Sequence, residues 1–226
     1  HAVARDNRLA LIELVLDHGG HPSSIREGRT VVALAARRGR GDVLALLEKR
    51  GMPIELAGVD RLIAACARGD HGRVRTIVAE APGLVGELVA EGGTLLAEFA
   101  GNDNVEGVRA LLDLGVDVAA RYGGDGYFGI PPGSTALHVA AWKGWHRAVA
   151  LLVERGAPVD AVDGNGSRPL ELAVKACVDS YWIDRRQPDS IRTLLEAGAP
   201  PAAIRLPTGY PEADLVVRRF LPPHPG

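Results

Sequence analysis

The side chains with which this chain could do chemistry are few: two cysteines, Cys66 and Cys177, seven histidines and some short arginine clusters. A thiol acts as a nucleophile only beside a positioned base, and a metal needs several His, Cys or carboxylate ligands converging on one point. Cys66 and Cys177 each lie in an Ala-rich helical pattern, in segments far apart along the chain, so they read as reduced, buried thiols. His18 and His21 flank Gly19-Gly20 at three-residue spacing, the pattern of a solvated turn or, at most, of a weak metal pair. Gly123-Gly124-Asp125-Gly126 follows no strand-like run and lacks the Lys and Ser/Thr with which a phosphate loop holds its ligand. Arg37-Arg38-Gly39-Arg40 and Arg185-Arg186 fall at predicted helix ends, where cations complement exposed carbonyls. A solvated helix end and a site for an anionic partner are both open there. No catalytic residue, cofactor site or metal site is expected, and the chain is not expected to be an enzyme.

Charge and apolar runs narrow the partners. Lys+Arg number 26 against 28 Asp+Glu, which leaves no excess of cations to displace the counterions of a nucleic acid. No apolar run approaches the roughly 18 to 20 residues of a spanning helix, so membrane insertion is not expected. A hydrophobic content of 46% with balanced charge suits a folded, cytoplasmic-type chain, taken to be monomeric.

The elements that must position these residues repeat. Ser134-Thr135-Ala136-Leu137-His138 opens a short helical pattern that ends at Gly144, and a second amphipathic pattern through Leu151-Leu152 ends at Gly156. Glycine after a helix accepts the positive φ that closes it, so two stops twelve residues apart make a ruler. It pairs Asn7 with Gly19, Gly39 with Gly51, Gly69 with Ala81, Asp103 with Gly115 and Gly144 with Gly156. In the following unit Cys177 and Gly198 take these places, with nine extra residues between them. Second stops are spaced by 32, 30, 34, 41 and 42 residues, and the last two return to 33 when an eight- and a nine-residue insertion are removed. Thr30, Asp60, Thr94 and Thr135 precede first helices as predicted caps, with Arg168 breaking the pattern. Leu14-Val15, Leu46-Leu47, Thr76-Ile77, Leu111-Leu112, Leu151-Leu152 and Leu194-Leu195 are predicted to face inward from the second helices.

On these residues the chain resembles the ankyrin-repeat family, with Thr135-Ala136-Leu137-His138 standing for its Thr-Pro-Leu-His motif. The resemblance implies an all-α solenoid of about six helix-turn-helix units with short hairpins. The units are 1–27, 28–57, 58–91, 92–132, 133–165 and 166–205 of a single domain 1–226. A capping helix within 206–226 begins at Pro211. It also implies that His138 bonds backbone groups near a hairpin. The unit from 58 lacks the motif beyond Asp60, Glu98-Phe99 replace small residues, and residues 82–91 read as a helical turn in place of a hairpin. Irregular stacking is expected there. His1 falls in register with His138, which predicts that the natural chain extends upstream.

Aromatic residues number ten, and seven lie between Tyr122 and Trp182, the stretch that also holds both insertions. The first insertion, Arg121 to Gly133, is predicted to lengthen a hairpin into a finger that exposes Tyr122, Tyr127 and Phe128, shaped by Pro131-Pro132 and several glycines. For these rings, partner contact and self-packing of the loop are both open. The second insertion is predicted to lengthen a first helix by about two turns along the stripe Leu170, Val174, Cys177, Val178, Tyr181 and Trp182. Its overhang is predicted to fold over Trp142 and Trp145, either as a satellite core or as a partner pocket. The expectation is a non-catalytic module that binds an unidentified protein through its concave face and aromatic finger. The alternative is a regulatory or positioning segment of a larger enzyme or transport protein.

Overall fold

The computed structural model describes residues 1–20, 25–26, 28–180 and 183–222, with backbone alone at 25–26. The fold is all-α with short hairpins, and the chain divides into two compact units, His1–Asp117 and Val118–Gly226.

The first unit runs α1 (Leu9–Asp17), β1 (Ile25–Arg26), β2 (Arg29–Thr30), α2 (Val31–Arg37), α3 (Gly41–Lys49), α4 (Gly58–Ala67), α5 (His71–Glu80), α6 (Gly83–Ala90), α7 (Gly92–Ala100) and α8 (Val105–Asp113). β1 and β2 pair antiparallel, Ile25 opposite Thr30, and Thr30 caps α2 by accepting from the Ala33 amide. Asp60 and Thr94 are not caps as expected; both lie inside the first turn of their helices, α4 and α7. α6 runs into α7 through Glu91 alone, so α7 needs no separate start, and Asp60 spends its carboxylate on Arg37 at 2.6 Å. The predicted helical turn at 82–91 is therefore a two-turn helix. Gly39, Gly51, Gly69, Asp103 and Gly115 take the positive φ of the ruler. Asp6 takes it instead of Asn7, and Ala81 does not, because the chain turns directly into Pro82 and α6.

Stacking in this unit is irregular. α2 packs on α4, but α7 reaches α2 and α8 packs on α4. Phe99 of α7, fully buried, explains how: a Cβ on Gly39 would stand 2.7 Å from its ring, and one on Gly107 would stand 2.5 Å away. Two glycines thus make room for one ring where small residues usually let helices meet. Leu14 and Val15, expected inward, are 52% and 43% exposed, since α1 packs on α3 alone among its larger contacts.

The arginine cluster 37–40 is neither a solvated helix end nor an open anion site. Arg37 pairs with Asp60 and with Glu91 at 2.5 Å, Arg38 with Asp6 at 2.8 Å and Glu98 at 3.3 Å, and Arg40 with Asp42 at 2.8 Å. Asn102 joins in, donating to Asp6 Oδ1 and to the carbonyls of Arg38 and Glu98. Asn102 thereby satisfies carbonyls at two helix ends, while the charged side chains satisfy one another.

The second unit runs β3 (Arg121–Tyr122), β4 (Ser134–Thr135), α9 (Ala136–Trp142), α10 (His146–Glu154), α11 (Pro169–Asp179), α12 (Asp189–Glu196) and α13 (Pro211–Arg218). α9 packs on α11 and α10 on α12, first helix beside first helix and second beside second, with α13 closing on α12. Leu137, Val149, Leu152, Leu170, Ile191 and Leu194 fill the shared core, and Ala213, Val216 and Val217 are the buried side of the cap helix. The Gly164 amide donates to the Pro132 carbonyl at 2.9 Å, joining two hairpins, and a Cβ there would stand 2.4 Å from that oxygen.

α11 has 11 residues against 7 in α9, one extra turn rather than the expected two. It stops at Ser180, which turns extended, and a 3₁₀ turn follows at Ile183–Arg185. The side chain of Arg186 donates twice to the Ser180 carbonyl, at 2.9 and 2.6 Å, and the Cys177 thiol donates to the Gln187 carbonyl. These bonds hold Arg186 and Gln187 against the helix end. Tyr181 and Trp182 lie outside the described residues.

Candidate functional site

The finger of the second unit is built from its base. Arg121 pairs with Thr135 and Tyr122 with Ser134, and a further bridge joins Asp125 to Ile130. Strand alternation turns Arg121 outward and Tyr122 inward. Tyr122 is therefore buried at 8% exposure and not displayed on the finger as expected. At the tip, Asp125 Oδ1 accepts from the amides of Tyr127 and Phe128, fixing both without further secondary structure. Tyr127 is 60% exposed and meets Phe128 edge to face, ring centroids 4.9 Å apart.

Phe128 is half-buried because the finger folds back on α9. The Trp142 indole donates to the Phe128 carbonyl at 3.0 Å, and the Lys143 ammonium stands 3.9 Å from the Phe128 centroid. Trp142 and Trp145 therefore face different neighbours. Trp142 is turned to the finger and to Lys175 of α11, whose ammonium is 5.2 Å from its centroid. Trp145 lies under the returning insertion, with the Arg185 guanidinium 3.5 Å from its ring centre. The overhang expected to cover both tryptophans carried Tyr181 and Trp182, which lie outside the described residues; among the described ones, Arg185 lies on Trp145.

Between the finger, the next hairpin and the first helices α9 and α11 lies a cavity of about 170 Å³. Ile130, Pro131 and Leu172 give it apolar walls, Trp142 an aromatic one, and Asp163, Glu171 and Lys175 its charges. His138 stands at the back, 1% exposed. Its Nδ1 accepts from the Thr135 amide at 3.1 Å, which places the proton on Nε2, donating to the carbonyls of Ala161 at 3.0 Å and Ser167 at 3.2 Å. Burial lowers its pKa. It has the structural role the motif implies, tying one hairpin to the next. Asp163 Oδ1 accepts from the amides of Asn165 and Ser167, both at 2.9 Å, and Glu171 accepts from the Arg168 amide at 2.6 Å.

Sequence reasoning passed over Lys143, Asp163, Glu171 and Lys175. The 33-residue period held a signal for two of them: Glu171 is in register with His138 and Lys175 with Trp142, so each pair stands side by side on neighbouring first helices.

Elsewhere the candidate chemistry is quiet. Both cysteines are free and buried, and burial pushes the Cys66 thiol up to about 12 and the Cys177 thiol up to about 11, far from a thiolate nucleophile at neutral pH. His18 donates to the Leu14 carbonyl at 2.9 Å, while His21 lies outside the described residues. Among the described residues no group of three or more His, Cys, Asp or Glu could hold a metal, and no helix is long and apolar enough to cross a membrane.

Residues 62–163 match the family model for ankyrin repeats (3 copies). Over 84 residues the chain is 38% identical to serine/threonine-protein kinase 12 of Arabidopsis thaliana, which is 37% of this chain and 17% of that protein. Over 110 residues it is 34% identical to the ankyrin repeat and KH domain-containing protein mask of Drosophila melanogaster, 48% of this chain and 2% of that protein. The chain thus spans a small fraction of these curated relatives.

Proposed function

This is an ankyrin-repeat protein, and from that premise we propose that its second unit binds a protein partner through the finger and the groove beside α9 and α11, without catalysing a reaction. Ankyrin repeats are in general protein-interaction modules. The observation that carries the reading here is Tyr127: a large ring, 60% exposed, at a loop tip, with its amide donating to Asp125 Oδ1 at 2.9 Å. Exposed aromatic anchors that need no ordering on binding are typical of interface hot spots. Phe128, Trp142 and the cavity continue the surface beneath it. Tyr122 supports the finger from within, Trp145 stands under Arg185, and Tyr181 and Trp182, outside the described residues, add nothing to the reading.

The test is affinity capture from the source cells followed by calorimetry on the captured partner. Tyr127→Ala is expected to weaken binding by about tenfold or more. Unaltered affinity would remove the finger from the interface. A second reading, a segment that positions a larger enzyme, is favoured by the relatives, in which the matched stretch is a minor part. A catalytic domain in the continuous reading frame would support it, and deletion of the finger would then change that enzyme's activity or location.

A further inference from the structure

The cavity beside Trp142 has a size and a charge that specify an occupant. At about 170 Å³ it falls below the roughly 300 to 1,000 Å³ of small-molecule sites and suits a single side chain. Asp163 is 7% exposed, and only its Oδ1 is spent, on two amides; Oδ2 has no hydrogen-bond donor among the described residues. Glu171 uses one oxygen on the Arg168 amide. His138 presents a neutral wall with both ring nitrogens engaged. Two carboxylates thus face one cation, Lys175, which is exposed and has no ion-pair partner among the described residues. Its ammonium nonetheless stands over the Trp142 ring, so the chain itself puts a cation against that indole, at a loose 5.2 Å.

We propose that this cavity accepts an arginine side chain of the partner, its guanidinium against the Trp142 indole and its N–H groups on Asp163 Oδ2 and the Glu171 carboxylate, with Lys175 displaced. The inference rests on the reading of the second unit as a protein-binding surface and adds what that surface selects. Arginine fits better than lysine because a planar guanidinium stacks on a ring face while its several donors reach two acids at once. A lysine ammonium is a point charge that Lys175 already supplies.

The experiment titrates the full chain with N-acetylarginine amide, following the Trp142 indole N–H by NMR, with Trp142→Phe to assign it. N-acetyllysine amide, N-acetylcitrulline amide and N-acetylnorleucine amide are run alongside. A saturable shift with the arginine compound is expected, about threefold or more weaker with lysine and absent with neutral citrulline and norleucine. Asp163→Asn and Glu171→Gln, which keep their acceptor oxygens, are each expected to weaken it about fivefold, and Lys175→Gln to tighten it about threefold. Should Asp163→Asn disturb the fold, Glu171→Gln and Lys175→Gln carry the test. No saturable shift, equal binding of citrulline or norleucine, lysine binding as tight as arginine, or indifference to all three charge changes overturns the proposal. The titration needs no partner, so its failure leaves the role of Tyr127 standing, and failure of the Tyr127 test leaves the titration untouched.

Discussion

The two units solve the same repeat problem with different materials. In the second, hairpins do the joining: paired strands at 121–122 and 134–135, a hairpin-to-hairpin bond from Gly164 to Pro132, and the His138 side chain reaching two carbonyls of the next hairpin. In the first, where a helix at 83–90 replaces a hairpin, side chains do it instead. Arg37, Arg38, Asp6, Asp60, Glu91, Glu98 and Asn102 are spent on holding the chain together, and Phe99 wedges between Gly39 and Gly107. The difference teaches where recognition can reside. In the second unit Asp163 and Glu171 each spend one carboxylate oxygen on hairpin or helix-start amides and keep the other to meet something else; a unit that spends its charges internally has fewer to offer.

The comparison breaks most visibly at Phe99. Phe99→Ala empties a fully buried wedge and is expected to cost about 3–5 kcal/mol in urea unfolding. A loss below about 1 kcal/mol would mean that the two glycines close up without it. Next comes Arg38→Ala, which takes the guanidinium from two largely buried carboxylates, Asp6 and Glu98, with side-chain exposures of 8% and 13%. About 3 kcal/mol is expected, and Arg38→Met repairing most of it would show packing to matter more than charge.

His138→Ala sharpens the other side, with an expected cost of about 2 kcal/mol for lost bonds and stranded carbonyls. It also carries a pH signature. Because burial depresses the His138 pKa below its ordinary 6.5, the unfolded chain binds the proton more readily. Stability is then full above 6.5, declines as pH falls toward the folded-state value and levels off below it. The variant should lose that part of the acid slope in pH-dependent thermal unfolding. The smallest effect belongs to the surface: Tyr127→Ala is expected to stay within about 0.5 kcal/mol of the parent, or about 2 °C in thermal midpoint. Phe128→Ala, half-buried under Lys143, should cost more than Tyr127→Ala, and equal costs would erase the distinction between anchor and support.

Much of this was legible in order along the chain. The glycine ruler marked helix ends because positive φ is a local requirement, and it held at Gly39, Gly51, Gly69, Gly115, Gly144, Gly156 and Gly198. It slipped at Asn7 and Ala81, where a neighbouring residue or an added helix changed the exit path. The finger, too, was visible as an insertion rich in glycine and proline. Its exposure pattern was not. Strand pairing, which puts Tyr122 inward, is set by a partner segment more than ten residues away. The overlong helix misled for a related reason: an apolar stripe continues past Cys177, but the Arg186 side chain bonds the Ser180 carbonyl and ends it.

By itself the sequence determined the repeating helix pairs, their period, the motif histidine and the place of both insertions, because these follow from local backbone preference and from apolar faces recurring at fixed spacing. Tertiary structure alone decided which charges are consumed in ion pairs, which rings are buried, and that Trp142, Asp163, Glu171 and Lys175 surround one cavity. Those outcomes depend on distances between segments that no local pattern encodes, since a side chain's partner is fixed only when helices from successive repeats have packed.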